Sequence, residues 1–150
     1  MPTQALFQAN LDHLAIRPAT AYEFAAVVRL YDEGGYDGRY QASDFLLLAM
    51  IDMDAVGVVR LVKEEGYTLL RGLYIGKAWR GRGIGRRLLT AAAGYLTEPC
   101  YCLTQTSLLH LFAEQGFVPC SDDIVPPFLL ERRRRYGWTG KTYHVIYRPD

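Results

Sequence analysis

The sequence predicts an α/β (α+β) fold in which a mixed, mostly antiparallel central sheet is flanked by helices. Three apolar runs, Phe45–Ile51, Ala55–Lys63 and Tyr67–Ile75, are joined by short polar turns, which is typical of an antiparallel meander. Apolar residues at helical spacing occur on either side of this meander, within Phe24–Tyr31 and within Ile84–Leu96. Helices on both sides of a strand meander favour a sheet with helical cover.

Before the meander we expect a lead-in, a strand and a helix. The chain of 150 residues has the length of one domain, 1–150, and residues 1–12 form its loose lead-in. The segment "HLAIRPAT" is typical of a short strand that Pro18 ends, and Thr20 is placed to cap a helix. That helix stops at Gly34–Gly35. The segment "YDGRYQASD" that follows is polar and irregular.

After the meander the pattern alternates between helix and strand. The helix that begins near Ile84 is closed by Pro99. "CYCLTQ" is typical of a strand and "SLLHLFAEQ" of a short helix ending at Gly116, after which "FVPC" is extended. "TYHVIY" alternates like a final strand. Pro126-Pro127 can start one more helix, around which the arginines of "ERRRR" would spread.

Composition excludes several classes of protein. A formal net charge of +1 argues against a general affinity for nucleic acid or membrane, and no apolar run approaches the roughly 20 residues of a membrane span. The N-terminus lacks a basic region followed by an apolar core, so we expect no signal peptide and a cytoplasmic location. The cysteine count is odd and no further ligand cluster accompanies it, which predicts reduced, mostly buried thiols and no metal site.

The stretch "WRGRGIGRRLL", Trp79–Leu89, combines three glycines with four arginines between a strand and a helix. It is not a P-loop, because Arg86-Arg87 stands where a Lys-Ser/Thr pair is required. It is not a dinucleotide fingerprint, because glycine is missing at the sixth position in both registers. A Gly-rich corner without a ligand is the alternative. The remaining reading is an anion site for a pyrophosphate, built from backbone amides and a helix N-terminus and supplemented by arginines.

Two motifs in this order resemble those of the GCN5-related N-acetyltransferase (GNAT) family. "LYIGKAWRGRGIGRRLL" is similar to the family's acetyl-CoA motif, a strand followed by Arg/Gln-x-x-Gly-x-Gly/Ala and a helix. "SLLHLFAEQGF" is similar to its second motif, a short helix that closes on Gly-Phe, and "IRPATAYEF" resembles its usual opening. The resemblance covers roughly Leu14–Phe117. It implies a GNAT-like sheet and an enzyme that uses acetyl-CoA.

The resemblance also implies which residues bind coenzyme A. The backbone of Leu73–Ile75 would pair with the pantetheine arm and help to polarise the thioester, and the loop Arg80–Arg86 would hold the pyrophosphate. The strand "CYCLTQ" would splay from its neighbour to open a V-shaped gap. The cofactor-binding residues that we predict are Leu73, Tyr74, Ile75, Arg80, Gly81, Arg82, Gly83, Ile84, Gly85, Arg86, Ser107 and Phe112.

The proton-handling residues depart from the family pattern. Many members have a tyrosine where this chain has Phe112, and a glutamate where it has Leu69. The catalytic acid and base therefore cannot be assigned by resemblance. His110 and Ser107 are weak candidates, and Ser107 is better explained as a helix cap. Transfer by proximity, with water relaying protons, is the remaining route.

The resemblance implies an amine acceptor, and we expect it to be a primary amine of a small molecule. A looser similarity, to the acetyltransferase domain of N-acetylglutamate synthases, makes an amino acid a reasonable acceptor, and Arg71 could face its carboxylate. We expect Glu64 to be solvated in a turn, and Arg132–Arg135 to be either a solvated face or an anion site. The alternatives are acetylation of a protein N-terminus or lysine, and a non-catalytic acyl-CoA sensor. A homodimer is one of the oligomeric states that the resemblance allows.

Overall fold

The computed structural model describes residues 11–36, 40–41 and 43–149. Within them, the strands are β1 (Leu14–Pro18), β2 (Phe45–Ile51), β3 (Asp54–Glu64), β4 (Tyr67–Ile75), β5 (Cys100–Gln105), β6 (Val118–Pro119) and β7 (Tyr143–Arg148). The α-helices are α1 (Phe24–Glu33), α2 (Ile84–Gly94), α3 (Leu109–Ala113) and α4 (Pro127–Tyr136). Short 3₁₀ turns precede α1, α2 and α3, and another follows α4. Much of the predicted lead-in, and residues 37–39 and 42 of the irregular segment before β2, lie outside the described residues.

The strands form one sheet in the order β1-β2-β3-β4-β5-β7-β6. Every neighbouring pair is antiparallel except β4 and β5, which run parallel. A parallel step requires a crossover, and α2 supplies it between these two strands. The predicted fold class, a mostly antiparallel mixed sheet with flanking helices, is confirmed.

Helices bury both faces of the sheet centre, which explains the continuous apolar run of β2. Leu46, Leu48 and Met50 pack with Val27 and Tyr31 of α1. The alternate residues of β2 lie in a second cluster with residues of α2 and with Phe112 of α3. A strand that is covered on both faces cannot alternate apolar with polar side chains.

The C-terminal part of the chain contains the helix that the Pro-Pro pair allowed. This helix, α4, stands between the two-residue β6 and β7. Pro126 is the N-cap of α4 and Pro127 its first residue, as the Pro-Pro pair suggested. Leu129 of α4 is 1% exposed and packs with Leu69 and Val145 in a third cluster. The helix therefore covers the sheet beside the junction of β4 and β5.

Thr20 is the N-cap of the 3₁₀ turn that leads into α1, as predicted, and Glu23 completes this helix start. The Glu23 carboxylate accepts hydrogen bonds from the Thr20 amide at 2.8 Å and from both Nη atoms of Arg17 at 2.7 and 2.5 Å. The Arg17 hydrogen bond and then the Thr20 amide lower the pKa of Glu23 to about 2. The ionised form therefore stabilises the folded state.

We expect Glu23→Gln to lower the free energy of unfolding at pH 7 by about 1–2 kcal/mol. Because the pKa of Glu23 is lower in the folded state than its ordinary value of 4.5, its contribution is complete above pH 4.5. It is lost as the pH falls towards 2. Urea unfolding should show the gap between wild type and variant closing over that range. Glu131→Gln is the control, since its pair with Arg134 is exposed and should contribute much less to stability.

Candidate functional site

Strands β4 and β5 separate soon after they meet. Their ladder contains two residue pairs, Thr68 with Cys100 and Leu69 with Tyr101, although both strands continue for several residues more. A cavity of about 500 Å³ lies in the resulting gap, and its walls include Leu69–Leu73 of β4 and Cys102–Gln105 of β5. The V-shaped gap that the resemblance implied is present in the structure.

A β-bulge changes the direction of β4 at this gap. The register with β3 shifts so that Gly72 and Leu73 together oppose Val59. Gly72 has a φ of +64°, which only glycine adopts easily, and its carbonyl accepts a hydrogen bond from the Tyr31 hydroxyl at 2.8 Å. Because C=O and N–H point in opposite directions in a trans peptide, this bond directs the Leu73 amide away from α1.

The glycine–arginine loop, Arg80–Arg86, joins this part of the sheet to α2. Gly81 and Gly83 have φ values of +76° and +79°, and a Cβ added at either position would meet nothing within 4 Å. Gly83 is the N-cap of α2 and offers no side-chain cap. The first intrahelical bond runs from the Arg87 amide to the Gly83 carbonyl, which leaves the preceding amides without an acceptor in the helix. These amides lie at the positive end of the helix dipole, and the space beside the Cα atoms of Gly81 and Gly83 is open.

The arginines of the loop already have partners within the protein. Arg80 donates from Nε to the Ile75 carbonyl at 3.1 Å, and its guanidinium lies 5.3 Å from the centre of the Tyr74 ring. Arg86 donates to Glu114 at 2.8 Å, a hydrogen bond that holds the pKa of Glu114 below its ordinary value. The backbone amides and the helix dipole could thus bind an anion, and Arg80 and Arg86 could add Nη donors because both bond through Nε.

The three predicted residues at the end of β4 differ in their surroundings. Leu73 lines the cavity, whereas Ile75 packs with the core beneath α2. The Tyr74 side chain is buried on the α1 side, where its hydroxyl donates to Glu33 at 2.7 Å. At Tyr74 only the backbone is available to a ligand in the gap.

The short helix α3 brings Phe112 to the cavity but does not bring the polar candidates there. Phe112 is 2% exposed, lines the cavity and packs edge-on against Phe117 at 5.5 Å between ring centres. His110 and Ser107 are exposed and do not line the cavity. The expectation that Ser107 caps the helix is wrong, because Leu108 occupies the N-cap of α3 and Gln105 that of the 3₁₀ turn before it. A role for Ser107 or His110 in the reaction stays a prediction.

Three arginines, Arg60, Arg71 and Arg132, also line the cavity, and we call them the arginine wall. Glu64 bridges two of them, accepting from Arg71 Nη1 at 2.6 Å and from Arg132 Nη1 at 2.8 Å. The expectation that Glu64 is solvated is wrong, because it ends β3 with a quarter of its side chain exposed. Arg71 faces the cavity, where the sequence had suggested a substrate carboxylate.

The arginine run of α4 divides between two environments. Leu129, Arg132 and Tyr136, spaced by three and four residues, line the cavity. Arg133 instead makes a two-pronged bond to Asp122 at 3.0 Å, and Arg134 pairs with Glu131 on the outer surface. The two alternatives predicted for Arg132–Arg135, a solvated face or an anion site, therefore apply to different residues of the run. Sequence reasoning missed Arg60, although counting the register through the turn after Glu64 would have placed it opposite Arg71.

The shifted pKa values in the cavity indicate donors and no base. Burial raises the pKa of the Tyr31 and Tyr36 hydroxyls and of the Cys102 thiol. All three groups are therefore protonated at neutral pH, where they can donate hydrogen bonds and cannot accept a proton. In the part of the chain that the structure describes, no cluster of histidine, cysteine or carboxylate side chains could hold a metal ion. Nor is any described helix long and apolar enough to cross a membrane.

Comparison with known proteins agrees with this architecture. A family model described as "Acetyltransferase (GNAT) domain" matches residues 42–119, just over half of the chain. Among curated proteins, no sequence matches.

Solved structures similar to this chain include enzymes that act on different acceptors. N-acetylglutamate synthase from Neisseria gonorrhoeae, complexed with coenzyme A and N-acetyl-glutamate, is 22% identical with a TM-score of 0.59; the alignment covers 91% of this chain and 35% of that one. The ribosomal-protein-S18-alanine N-acetyltransferase of Escherichia coli is 10% identical with a TM-score of 0.67, and the alignment covers 91% of this chain and 93% of that one. Escherichia coli ElaA is 14% identical with a TM-score of 0.65, covering 90% and 99%. At such identities the likeness shows the fold.

Proposed function

The chain belongs to the GNAT acetyltransferase family, and from this premise we propose that it transfers the acetyl group of acetyl-CoA to the primary amine of a small molecule. The observation that supports the proposal most directly is the gap between β4 and β5. The arginine wall lines this gap together with Leu73 of β4, the strand that leads into the glycine–arginine loop. A ligand that runs from the loop along the end of β4 would therefore enter the cavity that the wall lines.

The described residues fit coenzyme A. The first-turn amides of α2 and the open space in front of Gly81 and Gly83 suit a pyrophosphate. Beyond Leu69, β4 has no further ladder pairs with β5, so its backbone can pair with an extended chain such as the pantetheine arm. Leu73 and Phe112 supply apolar surface at the cavity.

When bound, acetyl-CoA supplies an activated acyl group as a thioester. The protein's own contribution begins at the bulge, where Tyr31 fixes the Gly72 carbonyl and so orients the Leu73 amide. A fixed N–H can polarise a carbonyl oxygen without reorganisation during the reaction. Phe112 can pack but cannot donate a proton, and Leu69 is 1% exposed and cannot accept one. We infer that the protein works by holding the two substrates close together, while water carries the proton away from the amine.

A non-catalytic acyl-CoA sensor is the second candidate. Phe112 and Leu69, which stand where many family members carry their acid and base, favour it. A sensor would bind acetyl-CoA without turnover.

One assay tests the proposal. Acetyl-CoA binding is first established by calorimetry, and release of free thiol from acetyl-CoA is then followed with amino acids, amino acid carboxamides, spermidine and a lysine-containing peptide. We expect saturable thiol release with a small amine and a faster rate at higher pH, because the attacking amine must be neutral. Binding without turnover on every amine would favour the sensor, and turnover only on the peptide would favour a protein acceptor. Failure to bind acetyl-CoA would overturn both readings.

A further inference from the structure

We propose that the acceptor carries a carboxylate in addition to its amine, and that Arg71 and Arg132 bind this carboxylate while Glu64 holds both guanidinium groups in place. This inference rests on the proposed function and adds the class of acceptor. It is carried by the arrangement of charge around the cavity.

Glu64 divides its carboxylate between the two arginines. Each oxygen accepts one hydrogen bond, Oε1 from Arg71 and Oε2 from Arg132, and all three side chains are less than one-third exposed. A guanidinium has five N–H donors, and within the described residues Glu64 is the only hydrogen-bond partner of either group. Both arginines therefore keep donors for a ligand while their positions are fixed by β3.

The charges of this region do not balance. Arg60 lies directly opposite Arg71 in the β3–β4 ladder, and like charges facing each other across strands are unfavourable. Within the described residues, Arg71 and Arg132 share the single carboxylate of Glu64. Two cations thus face one anion, and both cations line the cavity while Glu64 does not. A bound carboxylate would complete the balance.

The excess of positive charge at the cavity favours amines that also carry a carboxylate. Spermidine or a lysine side chain would bring additional positive charge to the arginine wall, in a partly buried site where repulsion is weakly screened. An amine with a carboxylate brings one charge of each sign, and a guanidinium matches a carboxylate in shape and hydrogen bonding. The phenols of Tyr136 and Tyr143, which also line the cavity, offer further donors and no positive charge.

The chain provides a matched pair of variants to test the carboxylate site. Arg132 lines the cavity, whereas the next residue, Arg133, bonds to Asp122 outside it. Thiol release is measured with the twenty common amino acids, with their carboxamides and with spermidine. We expect the best amino acid to have a KM about 10- to 100-fold below that of its carboxamide, the range expected for hydrogen bonds to a charged group. Arg132→Gln should raise the KM for the amino acid by a similar factor.

The effect of Arg132→Gln should be confined to substrates that carry a carboxylate. We expect Arg132→Gln to leave the KM for acetyl-CoA and the KM for the carboxamide within about threefold of wild type, because neither ligand places a carboxylate at the wall. Arg133→Gln should behave as wild type throughout. If Arg132→Gln is unstable in a thermal melt, Arg71→Lys replaces it, since lysine keeps the charge but cannot form the fork.

Each other outcome overturns a defined claim. Carboxamides or spermidine acetylated as efficiently as amino acids would overturn the carboxylate site and leave the proposed function standing. An equal rise in KM for acid and carboxamide in Arg132→Gln would show that Arg132 acts only in packing. Absence of thiol release with every amine would contradict the proposed function itself, and this inference with it.

Discussion

Replacing Gly83 with aspartate is expected to weaken acetyl-CoA binding by about 100-fold or more without unfolding the protein. A Cβ at Gly83 would meet nothing within 4 Å, so the new side chain enters open space at the N-cap of α2, where we propose that the pyrophosphate binds. Like charges about 4 Å apart repel by about 4 kcal/mol at an effective dielectric of 20. Even after partial screening, this exceeds the roughly 2.7 kcal/mol that a 100-fold change requires.

Asparagine provides the matched control at Gly83. It has nearly the same size as aspartate, tolerates a positive φ equally well and carries no charge. We expect Gly83→Asn to bind acetyl-CoA within about tenfold of wild type in isothermal titration calorimetry, and both variants to melt within a few degrees of wild type. Equal losses in the two variants would show that bulk rather than charge is excluded. Unchanged binding in Gly83→Asp would show that the loop does not hold the pyrophosphate.

Replacing Gly72 with alanine is expected to lower the free energy of unfolding by about 2–4 kcal/mol. Alanine at a φ of +64° costs about 1–2 kcal/mol. Its Cβ would lie 2.5 Å from the Tyr31 hydroxyl and 3.0 Å from Arg60 Nε. The phenol would have to move, and losing its hydrogen bond to the Gly72 carbonyl costs a further 1–2 kcal/mol or so. For a domain of this size, that corresponds to a fall in Tm of roughly 5–15 °C.

In Gly72→Ala, kcat for acetyl transfer should fall by more than the loss of folded protein explains. A displaced Tyr31 no longer fixes the Gly72 carbonyl, so the Leu73 amide loses its orientation at the gap. We expect Tyr31→Phe, which removes only the hydroxyl, to lower kcat while leaving the KM for acetyl-CoA nearly unchanged. Gly94→Ala is the control, because Gly94 ends α2 in open space without a positive φ and should keep or raise Tm. A normal kcat in a folded Gly72→Ala variant would show that the bulge does not contribute to catalysis.

Much of the fold could be predicted because its signals are local. The turns after Ile51 and Glu64 are short, so the β2–β3–β4 meander follows from consecutive apolar runs. The two-residue β6 was harder to predict from the sequence, because two residues give no periodicity. The Pro-Pro pair allowed a helix, but the extent of α4 was hard to predict because four of its ten residues are charged arginines. The position of α4 is set by the burial of Leu129 against the sheet.

The sequence by itself determined the conformation of the glycine–arginine loop, because the positive φ of Gly81 and Gly83 and the start of α2 depend on neighbouring residues. It also determined that the family's usual tyrosine and glutamate are absent at positions 112 and 69, since no fold can supply a hydroxyl to Phe112 or a carboxylate to Leu69. Only the tertiary structure decided that β4 and β5 part after two pairs, and that Arg132 rather than Arg133 joins Arg71 at the cavity. The physical reason is distance along the chain: Glu64 meets Arg132 across 68 residues, and the packing of α4 against the sheet, rather than local pattern, decides which of its arginines faces inward.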